Sequence, residues 1–241
     1  MRIQHNIAAL NSYRNLTNNN SAVSKNLEKL SSGYRINRAG DDAAGLAISE
    51  KMRAQITGLE TAQKNANDGI SLVQTAEGAL TEVHSMLNRM VELADQSANG
   101  TYDDPTDRTN LQKEVTSLTA EINRISDGTN FNGINLLNGS LATSGLTLQI
   151  GDTADPFNKL TVTIGNMSAA SLGIAGINIG AQTNAASAIS HIKDAINLVS
   201  TTRGNLGATQ NRLEHTINNL SVTSENMTAA ESRIRDVDMA K

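Results

Sequence analysis

Residues 40 to 42 read Gly-Asp-Asp, preceded by Arg35 and Arg38 and followed by a run of small residues. Two adjacent carboxylates could hold a divalent cation, and a glycine among charged residues could begin a phosphate loop. Neither pattern is complete. A helix–loop–helix calcium site alternates its oxygen ligands and closes with a distal glutamate, which is lacking here. Gly40 belongs to no GxxxxGK[ST] run. The remaining chemistry is capping: the carboxylate of Asp41 or Asp42 accepts the free N–H groups of the helix that follows and faces its positive end. The four histidines, His5, His84, His191 and His215, are scattered and form no HExxH pair. No GxSxG elbow and no SxxK occurs. These patterns point to no catalytic residue, no metal ligand set and no cofactor, so the chain reads as something other than an enzyme. Arg89, Glu92 and Gln96 fall at helical spacing on one face, either a solvated face or a contact surface.

Composition narrows the classes further. Twenty basic and 24 acidic residues give a net charge of −4, which argues against a nucleic-acid partner. There is no cysteine, hence no disulfide framework. The first residues hold no apolar run fit for a cleaved secretion signal, and no later run reaches transmembrane length. Cytosol, or export by a machine that reads no cleaved signal, both remain open.

The elements that would position these residues are mostly helices. Ile3, Ile7 and Leu10 begin an apolar stripe that Val23, Leu27, Leu30 and Tyr34 continue, with a polar "TNNNS" between that weakens helix formation. Beyond the Gly-Asp-Asp joint the same period runs from Met52 to about Ala98, where "NGTYDDPTD" breaks it. Leu111 to Ile125 make a third helix. "FNGINLLNG" is turn chemistry with two Asn-Gly steps, and "LTLQI" (146–150) and "KLTVTI" (159–164) alternate as a small antiparallel β-unit. A heptad returns from Ile189 to Ile234 with polar residues among its seam positions. The expected fold is mainly α: a long antiparallel helical rod, coiled-coil-like, with a β-hairpin unit at about 130–180. The stripe of residues 3–34 has no evident partner, and the last helix stops at "RDVDMAK" in phase and without a cap.

"MRIQHNIAALNSYRNL", "LEKLSSGYRINRAGDDAAGLAISEKMRAQI", "NDGISLVQTAEGAL", "FNGINLLNG" and "NRLEHTINNLSVTSENMTAAESRIRDVDMAK" together resemble bacterial flagellin over about 1–140 and 185–241. The resemblance implies a structural subunit of the flagellar filament, polymerising with copies of itself. It would be exported unfolded through the flagellar type III apparatus with an export chaperone, and would work outside the cell in the filament. It implies an inner-layer helix and spoke region at 1–42, with Gly40, Asp41 and Asp42 in the spoke. A helical rod domain follows at 43–235, and a C-terminal inner-layer segment starts at 236–241. The assembly stripe is then Ile3, Ile7, Leu10, Val23, Leu27 and Leu30. Residues 143–185 are too short for the large outer domains of many flagellins. The family continues past "RDVDMAK", so the distal C-terminal inner-layer helix is expected to be absent. The resemblance also implies a face that binds the host's Toll-like receptor 5, falling on Arg89, Leu93, Gln96 and Glu114. Asn88 stands where the family often has Gln. The second class of function is a secreted helical rod acting only as a receptor-binding or adhesion module.

Overall fold

The computed structural model describes residues 6–238. Helix α1 spans Ile7–Ser32, α2 Ala43–Ala98, α3 Thr109–Gly128 and α4 Gln182–Arg235. A π-turn at Asp104–Arg108 leads into α3. The short hairpin β1 (Asn130–Phe131) and β2 (Ile134–Asn135) follows it, then the antiparallel pair β3 (Leu146–Gln149) and β4 (Lys159–Val162). The chain is mainly α with a small β-unit. At 1.5 Å per residue α2 is about 84 Å long.

The polar "TNNNS" segment does not interrupt α1, contrary to the sequence expectation. Its ends are well capped instead. The Asn6 side chain accepts the Ala9 N–H at 3.2 Å, and Gly33, at φ 75°, closes the last turn with its own N–H on Lys29 O. Positive φ at that place suits glycine.

The chain divides into two compact units, residues 1–60 with 221–241 and residues 61–220. Helices α2 and α4 each contribute to both units.

In the unit of 61–220, one stripe of α2 is buried at helical spacing: Val73, Ala76, Leu80, Val83, Leu87, Met90 and Ala94. It shares a core with Val115 and Ile122 of α3, Ile192, Val199 and Leu206 of α4, and Leu137, Ile164, Met167 and Ile179 from the connecting segments. Gln182 Nε2 donates to Ala98 O at 3.0 Å, and Arg203 pairs with Glu77 at 3.5 Å, so within this unit α4 runs antiparallel to α2. The β3–β4 pair has the register Leu146↔Val162 to Gln149↔Lys159. Its apolar face lies on α2, where Leu148 Cδ1 occupies the space a Cβ on Gly69 would need. Asn65 Nδ2 donates to Gln149 O at 3.0 Å and fixes the β3 end. Glycine inside a helix costs about 1 kcal/mol against alanine; here it admits the leucine.

In the other unit, α1 holds no buried residue. Most helical stability in proteins comes from packing an amphipathic face, which α1 lacks here. In a dilute monomer, amide exchange from Leu10 to Leu30 should run far faster than from Leu80 to Ala94, read by mass spectrometry of peptic fragments. Equal protection of the two stretches would overturn this.

Candidate interaction surfaces

Helix α1 presents its apolar side chains to solvent. Ile7 is 67% exposed and Leu27 61%, and Leu10, Tyr13, Leu16, Val23 and Leu30 are exposed with them. Ile3, the first residue of the expected stripe, lies outside the described residues. A contiguous exposed apolar surface of this kind marks an interaction site.

The joint between α1 and α2 is built from the residues that opened the sequence. Asp42 is the cap of α2: its Oδ1 accepts the Gly45 N–H at 2.8 Å while its backbone oxygen accepts Leu46 N–H at 3.0 Å. Asp41 serves the loop instead. Its Oδ2 accepts the backbone N–H groups of Arg38 at 3.1 Å and Asn37 at 3.3 Å. These bonds, Arg38 first, hold its carboxyl below the ordinary 3.8. Gly40 lies beside them with open space where a Cβ would go. Ile36, 2% exposed, is the joint's anchor, and its Cδ1 would stand 2.8 Å from a Cβ on Gly45.

The end of α4 closes on this joint, so the uncapped stop read from the sequence is corrected. Arg35 Nη2 donates to the carbonyls of Arg233 at 3.1 Å and Ile234 at 2.5 Å, two of the free oxygens at a helix C-terminus. Arg35 N–H donates to Arg235 O at 2.7 Å and Val237 N–H to Gly33 O at 3.0 Å, around an antiparallel bridge of Tyr34 with Asp236. The Arg235 guanidinium stacks 4.7 Å from the Tyr34 ring centroid and pairs with Glu50 at 2.5 Å.

On α2, Arg89 Nε donates to Glu114 of α3 at 2.8 Å and Nη1 to Glu92 at 2.9 Å. Glu114 foremost, and then Glu92, push the Arg89 pKa upward. Arg89, Glu92, Gln96 and Glu114 are exposed. Leu93 is not: it is 0% exposed and belongs to the core. The expectation that Leu93 shares the open face is therefore corrected. The spacing does put 89, 93 and 96 on one broad side of the helix, but the core boundary passes between them.

Two devices escaped the sequence reading. Buried Arg108 donates through Nε to Ser97 O at 2.7 Å and through Nη2 to Asn99 O at 2.8 Å, capping the end of α2. Gln112 clasps the 177–179 segment, donating to Ile177 O at 3.1 Å and accepting Ile179 N–H at 2.6 Å. Nothing in residue type or spacing marks either one, since their partners are backbone groups, which every residue carries.

Comparison with known proteins gives a consistent result. The bacterial flagellin N-terminal helical region matches residues 3–142 and the C-terminal helical region residues 189–241. The flagellin of Bacillus subtilis is 54% identical over 272 residues, with 100% of this chain and 89% of that protein covered. The flagellar filament 33 kDa core protein of Treponema phagedenis is 48% identical over 255 residues, covering 100% of this chain and 88% of that one. The crystal structure of Bacillus cereus flagellin superposes with a TM-score of 0.55 at 32% identity, over 70% of this chain and 94% of that one.

The joint should be sensitive to acid. The hydrogen bond from Arg235 holds the Glu50 carboxyl below its ordinary 4.5. A depressed carboxylate contributes stability that is complete above the ordinary value and is lost as pH falls through the folded one. Acidification through that range should raise amide exchange at Arg35 and Val237, after correction for the intrinsic rate, and Glu50→Gln should flatten much of the rise. Protection that stays constant in acid would remove Glu50 from the joint's energetics.

Proposed function

This chain belongs to the bacterial flagellin family, and on that footing we propose that it is a structural subunit of the flagellar filament, which polymerises with copies of itself. The observation that carries the reading is α1: a capped helix of 26 residues with an apolar stripe and no buried residue. Burial between subunits would cover that stripe. We assign residues 1–42 to the inner layer and its spoke, 43–235 to the outer helical domain, and 236–241 to the start of a C-terminal inner-layer segment. On this reading the subunit leaves the cell unfolded through the flagellar type III apparatus, with an export chaperone, and acts outside the cell. The absence of cysteine suits that route, because no disulfide has to form or be undone.

A second reading, compatible with the first, is that the monomer is a ligand of a host's Toll-like receptor 5. It is favoured by the exposed face of Arg89, Gln96 and Glu114. Arginine offers a planar donor fork, and glutamine both donor and acceptor. Leu93 supports this face from beneath rather than entering a receptor pocket.

Assembly is tested by adding labelled protein to fragments of flagellar filament and measuring incorporation by sedimentation. Wild-type protein should incorporate, and Leu10→Lys with Leu27→Lys should be excluded while the core of residues 61–220 melts unchanged. Incorporation of that variant at the wild-type level would sink the proposal.

For the receptor, Arg89→Ala should weaken binding of the soluble monomer by on the order of 1–3 kcal/mol. Leu93→Ala should chiefly lower thermal stability, by about 2–5 kcal/mol. Unchanged affinity for Arg89→Ala would argue that the face is only solvated.

A further inference from the structure

Three Asn-Gly steps lie in the unit of 61–220: Asn99-Gly100, Asn132-Gly133 and Asn138-Gly139. Asn-Gly is chemically labile. The glycine nitrogen can attack the asparagine side-chain carbonyl, and no Cβ on the following residue hinders it. The fold treats the three steps differently.

At Asn99 the peptide carrying the attacking nitrogen is pinned, because the buried Arg108 guanidinium donates to Asn99 O at 2.8 Å. At Asn138 the side-chain Oδ1 accepts Ser140 N–H at 3.0 Å, the Gly139 carbonyl accepts Ala142 N–H at 3.1 Å, and Asn166 crowds the glycine. Asn132 and Gly133 are both exposed, and among the described residues no hydrogen bond engages the Asn132 side chain or the Gly133 N–H. Around Gly133 there is open space.

The turn itself is suited to the reaction. Phe131 pairs with Ile134, so Asn132 and Gly133 are the two loop residues, at φ 50° and 79°. Positive φ at both is the type I′ turn. A flip of the single peptide between them turns type I′ into type II′, which also joins twisted strands. In that flip Asn132 keeps its positive φ while Gly133 moves to negative φ, which costs glycine nothing. The flipped peptide presents the Gly133 nitrogen to the Asn132 side-chain carbonyl carbon.

We propose that Asn132 is a site of spontaneous modification, converting through a succinimide to aspartate and isoaspartate ahead of the other two steps. A solvent base takes the Gly133 N–H proton. The nitrogen bonds to Asn132 Cγ, the bond from Cγ to the side-chain nitrogen breaks, and ammonia leaves with a proton from solvent. Water then opens either carbonyl of the ring. Opening at the side-chain carbonyl gives aspartate; opening at the backbone carbonyl gives isoaspartate, whose main chain runs through an extra methylene. That extra length breaks the Phe131↔Ile134 register. The damage stays local, because Leu136 N–H on Thr129 O at 3.0 Å and Ser126 Oγ on Leu137 O at 2.9 Å anchor the adjoining buried leucines independently of the turn. The folded protein survives the lesion and so accumulates it with age.

The test ages the full chain in mildly alkaline buffer, native and in urea, and maps peptides by mass spectrometry, with heavy-oxygen water marking each conversion. In urea the three steps should convert at similar rates. In the native protein Asn132 should convert several times faster than Asn99 or Asn138, with isoaspartate as the main product, and Asn132→Gln should abolish the signal in that peptide. Native conversion first at Asn99 or Asn138, or protection of Asn132 to the same extent as theirs, would overturn the assignment.

Discussion

A long amphipathic helix has one apolar stripe, and something must cover it. That requirement organises this protein. Along α2 from Val73 to Ala94 the cover is intramolecular: α3, the start of α4 and the connecting segments close over it until Leu80, Leu87 and Met90 are 0% exposed. Along α1 no residue is buried. Fully burying one large apolar side chain yields about 1.5–3 kcal/mol. Seven such side chains on α1, from Ile7 to Leu30, stand exposed. Covering them offers on the order of 10 kcal/mol before the cost of association and ordering. A single chain therefore carries a part that folds on its own contacts and a helix, α1, whose apolar stripe those contacts leave uncovered.

The second requirement comes from the helix ends, where carbonyl and N–H groups lack helical partners. The fold answers it with side chains that also connect elements. Asp42 caps α2 and places its first turn under Ile36, and Arg35 caps the end of α4 while its own backbone pairs with that helix's exit. Arg108 ties the end of α2 to the start of α3, and Gln182 ties the start of α4 to the end of α2. Each contact satisfies an otherwise costly polar group. Each also fixes where the next element begins, so the long helices hold register without any disulfide.

These two requirements explain what could be read from the residues. The end of α2 at Ala98, the third helix and the β3–β4 pair follow from local pattern, because period and turn chemistry act over a few residues. The continuity of α1 through "TNNNS" did not, since weak propensity is overridden by good caps and a long flanking stripe on both sides. The position of Leu93 did not follow either. Spacing shows which residues share a side of a helix, but the width of the buried stripe depends on how many neighbours cover it, and α2 is covered by α3 and α4 together. Arg108 and Gln112 were silent for a related reason: their partners are carbonyl and amide groups, which every residue has.

The Arg89 face combines both kinds of constraint. Beneath it Leu93 and Met90 are locked in the core, so the backbone that displays Arg89 and Gln96 is fixed. Above it, Arg89 is held by two exposed carboxylates, Glu114 across the helices and Glu92 along α2. Exposed ion pairs of this kind contribute about 1 kcal/mol or less. They orient the guanidinium without committing it, and either pair can be exchanged for an external partner at small cost. A surface with a rigid base and loosely held charges needs little reordering to bind. On the proposed receptor reading, that reduction in ordering cost, more than any one contact, is what the packing of α2 against α3 would contribute.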